Sequence, residues 1–158
     1  MDQSEREGLI AQYAAGFREV SDALAGITTS ELDARLTPDD WTPREIVHHL
    51  ADSEMEGAMR LRRLLAEERP TLVGYDQEAF ARRLAYDRPI AAALIALQGA
   101  RESTTELLRR LTPEDWQREG EHTEYGRYTL DDWLRIYAAH AHEHAEQIRR
   151  IREALQQA

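Results

Sequence analysis

The sequence predicts an all-α protein folded as a four-helix bundle, and three observations carry that expectation. Helix formers dominate its 158 residues, with only 8 Gly and 5 Pro to interrupt them. Apolar residues recur at three- and four-residue spacing through four long segments. Helix-start signals stand at the head of two of those segments, Thr42-Pro43-Arg44-Glu45 and Thr129-Leu130-Asp131-Asp132. The length suits one domain over 1–158 and is too short for two.

The first helix is expected from about Glu5 to Ala25, with Leu9, Tyr13, Phe17, Val20 and Leu24 facing inward, and Gly26 and Thr28-Thr29 ending it. The second opens at Thr42, where Glu45 can close a capping box, and runs to about Glu68, ahead of Pro70. Its apolar stripe is Ile46, Leu50, Gly57, Leu61 and Leu64. Thr71 to Tyr75 reads as a loop. A short extra helix follows near Gln77–Tyr86, within the connection to the third long helix, Pro89 to about Leu111. After a polar segment the fourth helix, capped at Thr129, reaches the C-terminal end. LTPDDW (Leu36–Trp41) and LTPEDW (Leu111–Trp116) echo each other between the first and second and between the third and fourth long helices. Thr-Pro-Asp is a helix-start signal in its own right, and the placement suggests two paired hairpins.

Charge and cysteine usage remove several classes of function. With 20 basic against 30 acidic residues the net charge is −10, and the arginines are interleaved with acids, so no nucleic-acid face is expected. There is no cysteine, hence no disulfide, thiolate ligand or cysteine nucleophile. No leader, lipidation motif or membrane-length apolar run is apparent, which points to the cytoplasm and away from a membrane. Neither a glycine-rich phosphate loop nor a Ser-His-Asp order is present.

The histidines carry the chemistry. At about 100° per residue, Trp133, Tyr137, His140, His144, Ile148, Ile151 and Leu155 share one arc of the last helix, while His142 points away. Imidazoles on a core face need partners for their nitrogens. Two of them one turn apart can share a divalent metal or rest as hydrogen-bonded core residues. On the second helix His49 lies at the edge of the apolar stripe with Ser53, and His48 faces away. Packing of the second helix on the fourth would add His49 to His140 and His144. Three imidazoles with an open position describe a catalytic metal site suited to Zn²⁺, Ni²⁺ or Fe²⁺.

Gln147, Glu45 and Ser53 are the candidate groups to orient these ligands. His48, His122 and His142 read as solvated surface or loop residues. Arg60, eleven residues after His49 and about 20° off its azimuth, could offer a guanidinium to an anionic ligand or pair with Glu56 or Glu67. Trp41, Trp116 and Trp133 read as core or hairpin anchors.

WTPREIVHHLADSE (Trp41–Glu54) and YAAHAHEHAEQI (Tyr137–Ile148) resemble the DinB superfamily. With Met59-Arg60-Leu61-Arg62, Arg69-Pro70-Thr71 and Gly74-Tyr75-Asp76, the closest likeness is to its YfiT-like subgroup. The resemblance covers about Leu36 to Ile151. It implies an up-down-down-up bundle and a metal, often Zn²⁺ or Ni²⁺, on His49, His140 and His144. It also implies a homodimer, and transfer of a low-molecular-weight thiol such as bacillithiol to small electrophiles in detoxification or stress response. Arg60 would then clamp a carboxylate of the thiol. Metal-dependent hydrolysis, with water activated at the same site, and a non-catalytic metal-stabilised helical protein are the competing readings. Glu54 stands where that subgroup often carries histidine, a departure expected to leave the metal in place and to bear on substrate preference.

Overall fold

A computed structural model describes residues 1–157. The four long helices are α1 (Gln3–Leu24), α3 (Pro43–Ala66), α5 (Ala91–Leu108) and α6 (Leu130–Gln156). Two short helices, α2 (Thr29–Leu32) and α4 (Gln77–Arg83), lie in the connections. Capping chemistry sets the starts. Thr42 accepts from the Glu45 amide while the Glu45 carboxylate accepts from the Thr42 amide, and Thr129 and Asp132 repeat the arrangement at α6. The expected boundaries hold to within two or three residues. The turn of α2, itself closed by a Thr28–Glu31 capping box, was not anticipated.

The helices surround the core in the order α1, α6, α3, α5. Ion pairs and hydrogen bonds give their directions. Arg6 meets Asp131 at the start of α1 and α6, and Glu19 meets Arg149 near their ends, so these two run parallel. Arg44 reaches the Arg88 carbonyl just before α5, and Arg62 reaches Thr104 late in it, so α3 and α5 are also parallel. Trp133 of α6 donates to the Gly57 carbonyl while His140 meets His49, which makes α3 and α6 antiparallel. The bundle is therefore up-down-down-up. The two paired hairpins expected from the LTPDDW and LTPEDW echo do not form, because α1 and α3, like α5 and α6, sit diagonally. The echo is turn chemistry: Thr37 and Thr112 each donate amide and hydroxyl to Asp40 and Asp115, three residues on.

Parallel neighbours need a crossover, and the segment between α3 and α5 supplies it. There the expected loop contains β1 (Thr71–Leu72), which pairs in parallel with β2 (Glu119–His122). β2 in turn pairs antiparallel with β3 (Gly126–Thr129). The three-stranded sheet, order β1-β2-β3, corrects a purely helical expectation without altering the class. A tight connection over residues 123–125 and Gly126, at φ +73, turn β2 into β3.

Two apolar clusters fill the bundle. One gathers Val20, Leu24, Ile46, Leu50, Leu97, Ile148 and Ile151; the other gathers Tyr13, Leu61, Leu64, Leu108, Trp133, Leu134 and Tyr137. Leu155, placed on the inward stripe by periodicity, is exposed in the last turn of α6. Between the clusters lies a polar layer. Glu54 of α3, 1% exposed, accepts from Arg101 of α5 at 2.5 Å and from the Tyr13 hydroxyl of α1. Arg101 also donates to the Tyr13 carbonyl at 2.6 Å and to the Tyr137 carbonyl of α6 at 3.3 Å. Gly16 makes room for it, since a Cβ there would stand 2.5 Å from the guanidinium. Burial drives the Glu54 carboxyl above the usual carboxylate range, and the Arg101 charge and Tyr13 hydroxyl work against it. Replacing Glu54 by Leu strands a buried guanidinium and should cost about 3–5 kcal/mol in urea denaturation. The double variant Glu54→Leu/Arg101→Met should lose clearly less, because no unpaired charge remains.

Candidate metal centre

The α3–α6 seam brings together the three histidines singled out by helical azimuth. His49, His140 and His144 each present a ring nitrogen within 4.8 Å of the other two. The Nε2 atoms of His49 and His140 stand 3.1 Å apart. Two nitrogens on one tetrahedral ion at about 2.0–2.1 Å would be about 3.3 Å apart, and closer in a six-coordinate ion. The rings meet edge to face, with centroids 4.7 to 5.1 Å apart.

Gly57 permits the close approach of the two helices below the cluster. A Cβ there would lie 2.3 Å from the Tyr137 ring. Trp41 closes the other side, its ring edge-on to His49 at 4.7 Å. It packs against the first apolar cluster, the anchor role read from the sequence, and its contact with His49 is what the structure adds.

Burial keeps the imidazoles neutral, the form that binds metals. It pushes His49 down to about 3, helped by the charge of His144, and His140 down to about 2, helped by His144 and His49. His144 is lowered for the same reason, and Gln147 partly opposes it by accepting from His144 Nδ1 at 2.9 Å. That contact fixes the tautomer and leaves Nε2 of His144 as the free lone pair. Three neutral donors with one oriented through a side-chain amide suit a divalent ion of the Zn²⁺ or Ni²⁺ kind.

The other expected positions divide. Ser53 is buried in the wall beside Tyr75. Glu45 does not turn toward His49; its carboxylate is spent on the Thr42 amide and on Arg35 at 2.7 Å, because the capping box claims it. Arg60 faces the site and pairs with neither Glu56 nor Glu67. It donates to the Val73 carbonyl at 2.8 Å and approaches the Tyr137 hydroxyl at 3.4 Å, while Arg63 takes Glu67. Glu54 belongs to the core ion pair and not to the cleft, which corrects the expectation that it bears on substrate preference.

Two histidines expected at the surface are buried. His48 packs on Tyr86 and meets the Arg88 carbonyl at 3.0 Å, because the segment after α4 folds across α3. His122 is buried because β2 turns it inward over the bundle end, between Tyr125 and Tyr128. His142 is half-buried, its Nε2 2.8 Å from the Gln12 carbonyl of α1.

A cleft of about 410 Å³ opens beside His49 and His140. Its walls come from α3 (Ser53, Arg60), the crossover (Gly74–Gln77), the sheet (His122, Tyr128) and α6 (Ile136, Tyr137). Only the first and last of these were legible from helical periodicity. The rest are brought in by the sheet.

The DinB superfamily model matches residues 12–148. The chain belongs to the DinB superfamily. Among its relatives, a protein of Oceanobacillus iheyensis is 31% identical over 131 residues, 83% of this chain and 76% of that one. A protein of Bacillus mycoides is 29% identical over 137 residues, 87% and 79% of the two chains. Both bear the name "Putative metal-dependent hydrolase". Among solved structures, YfiT of Bacillus subtilis superposes with a TM-score of 0.92 at 28% identity, over 99% of this chain and 90% of that one. It is described as a probable metal-dependent hydrolase with an unusual four-helix bundle topology. The bundle here is of the YfiT kind.

Two outcomes check the centre. Elemental analysis of native protein should find stoichiometric divalent metal, lost in His49→Ala and His140→Ala, with Gln147→Leu weakening affinity about 10- to 100-fold. The folded-state pKa values of the ligand histidines lie below the ordinary 6.5, so the fold prefers them neutral. Stability of the metal-free protein should be complete above about pH 6.5 and fall as pH drops below it, as thermal melts would show.

Proposed function

We propose that this chain is a metal-dependent enzyme that transfers a low-molecular-weight thiol to small electrophilic substrates. The observation that carries the reading is the convergence of three neutral imidazoles at the head of a cleft that also holds a guanidinium. A divalent ion bound there would supply Lewis acidity, keeping a ligand thiol or water in its deprotonated, nucleophilic form. The chain supplies the rest. His49, His140 and His144 would hold the ion, Tyr137 lines the cleft beside them, and Arg60 orients a carboxylate of the thiol. In the transfer a C–S bond forms as the bond to the leaving group breaks, the leaving group departs with its electron pair, and the thiol proton passes to solvent.

Hydrolysis is the second reading, favoured by the names that the relatives carry. It uses the same cleft with water as nucleophile. The carboxylates lining the cleft, Asp76 and Glu124, are both exposed.

Titration of cobalt- or nickel-loaded protein with a small thiol separates the two. A thiolate charge-transfer band, absent in His140→Ala, together with thiol-dependent consumption of an electrophile, is expected. Absence of the band with thiol-independent turnover of an activated ester would replace transfer by hydrolysis. A metal that raises the melting temperature but supports neither would leave a structural role.

A further inference from the structure

Three buried nitrogens on cleft-lining residues have no partner among the described residues: Nδ1 of His49, which belongs to the metal cluster, and, outside that cluster, Nε of Arg60 and Nε2 of His122. The tautomer of His122 follows from its surroundings. The Glu124 amide donates to His122 Nδ1 at 3.2 Å, so Nδ1 is the lone-pair nitrogen and Nε2 carries the hydrogen. His122 is 2% exposed and held between the rings of Tyr125 and Tyr128, at 4.7 and 5.5 Å. Arg60 is held just as firmly, by the Val73 carbonyl, the Tyr137 hydroxyl and the face of Tyr75 at 5.8 Å. Buried N–H groups left without acceptors cost free energy, and a native fold keeps them where a ligand completes the bond. Both residues line the one cleft, and burial first and the Arg60 charge second push His122 below its ordinary pKa, leaving it a neutral donor.

We propose that the Arg60 Nε–H and His122 Nε2–H together form a carboxylate-binding subsite, and that the cleft therefore selects carboxylate-bearing ligands. A planar carboxylate offers two oxygens, one for each donor, and the fixed guanidinium supplies the charge. Asp76 and Glu124 at the mouth are exposed, and solvent screens them, while the two donors act where water is largely excluded. The subsite deepens the functional reading above, and rests on it for the claim that the carboxylate belongs to the thiol or its acceptor. His122 enters as a specificity residue from β2, far in sequence from any metal ligand.

The test follows the His122 and Arg60 side-chain N–H resonances by NMR in zinc-loaded and metal-free full-length protein, titrated with succinate and with its neutral counterpart succinamide. Both resonances should shift saturably with succinate alone, whether or not zinc is bound. His122→Phe should weaken succinate binding about fivefold or more, while His122→Gln, which keeps an N–H at similar reach, should retain most of it. Unmoved resonances, equal responses to succinamide, or a His122→Phe protein that binds as tightly as the parent would overturn the subsite. A response limited to the zinc-loaded form and to the ligand histidines would place the carboxylate on the metal and overturn it too. Zinc that fails to bind while the His122 response persists would sink the metal reading and leave the subsite standing.

Discussion

The buried contact between Glu54 and Arg101 is the constraint on which the bundle depends. It is the place where all four long helices meet: Tyr13 from α1, Glu54 from α3, Arg101 from α5 and the Tyr137 carbonyl from α6. Two charges in a core are not a source of stability in themselves, because desolvation offsets most of their attraction. What they impose is uniqueness. Any shift of one helix by a turn would leave a guanidinium or a carboxylate unpaired, so the register of α3 against α5, and of both against α1 and α6, is specified at one level.

That level also sets the metal centre. The apolar clusters lie to either side, and the polar layer between them runs from the ion pair toward His49, His140 and His144. The Arg101 charge reaches far enough to contribute to the lowering of His140. Once the register is held, Gly57 lets α6 approach α3, Tyr137 fills the space a Cβ would need, and the histidines one and two turns further along α6 come within ligand distance of His49. The site is thus built on two rigid helices, with one wall added by loops.

That wall has a different origin. β1 belongs to the crossover between α3 and α5, β2 and β3 to the connection before α6, and they pair only because both connections end at the same face of the bundle. Glu119-Gly120-Glu121-His122 has no apolar alternation and little strand propensity, so nothing local announces a strand. His122 is consequently silent in the sequence, as is the burial of His48 under the segment after α4. The core role of Glu54 was silent for a related reason. A glutamate on a helix reads as solvated until its partners, 41 and 47 residues away, are known.

What the sequence by itself determined is the part governed by local geometry. The four long helices, their caps and the inward azimuth of His140, His144 and His49 follow from a 3.6-residue period and from side chains within one turn. Helical phase is a property of the chain alone, so three histidines on inward arcs could be recognised before their helices were placed. Only the tertiary structure decided which helices adjoin, that the echoed LTPDDW and LTPEDW turns do not make hairpins, that Glu45 serves its cap, and that Arg60 and His122 face one cleft. Those outcomes depend on contacts between residues distant in sequence, where the free energy of packing and of pairing buried polar groups outweighs local preference.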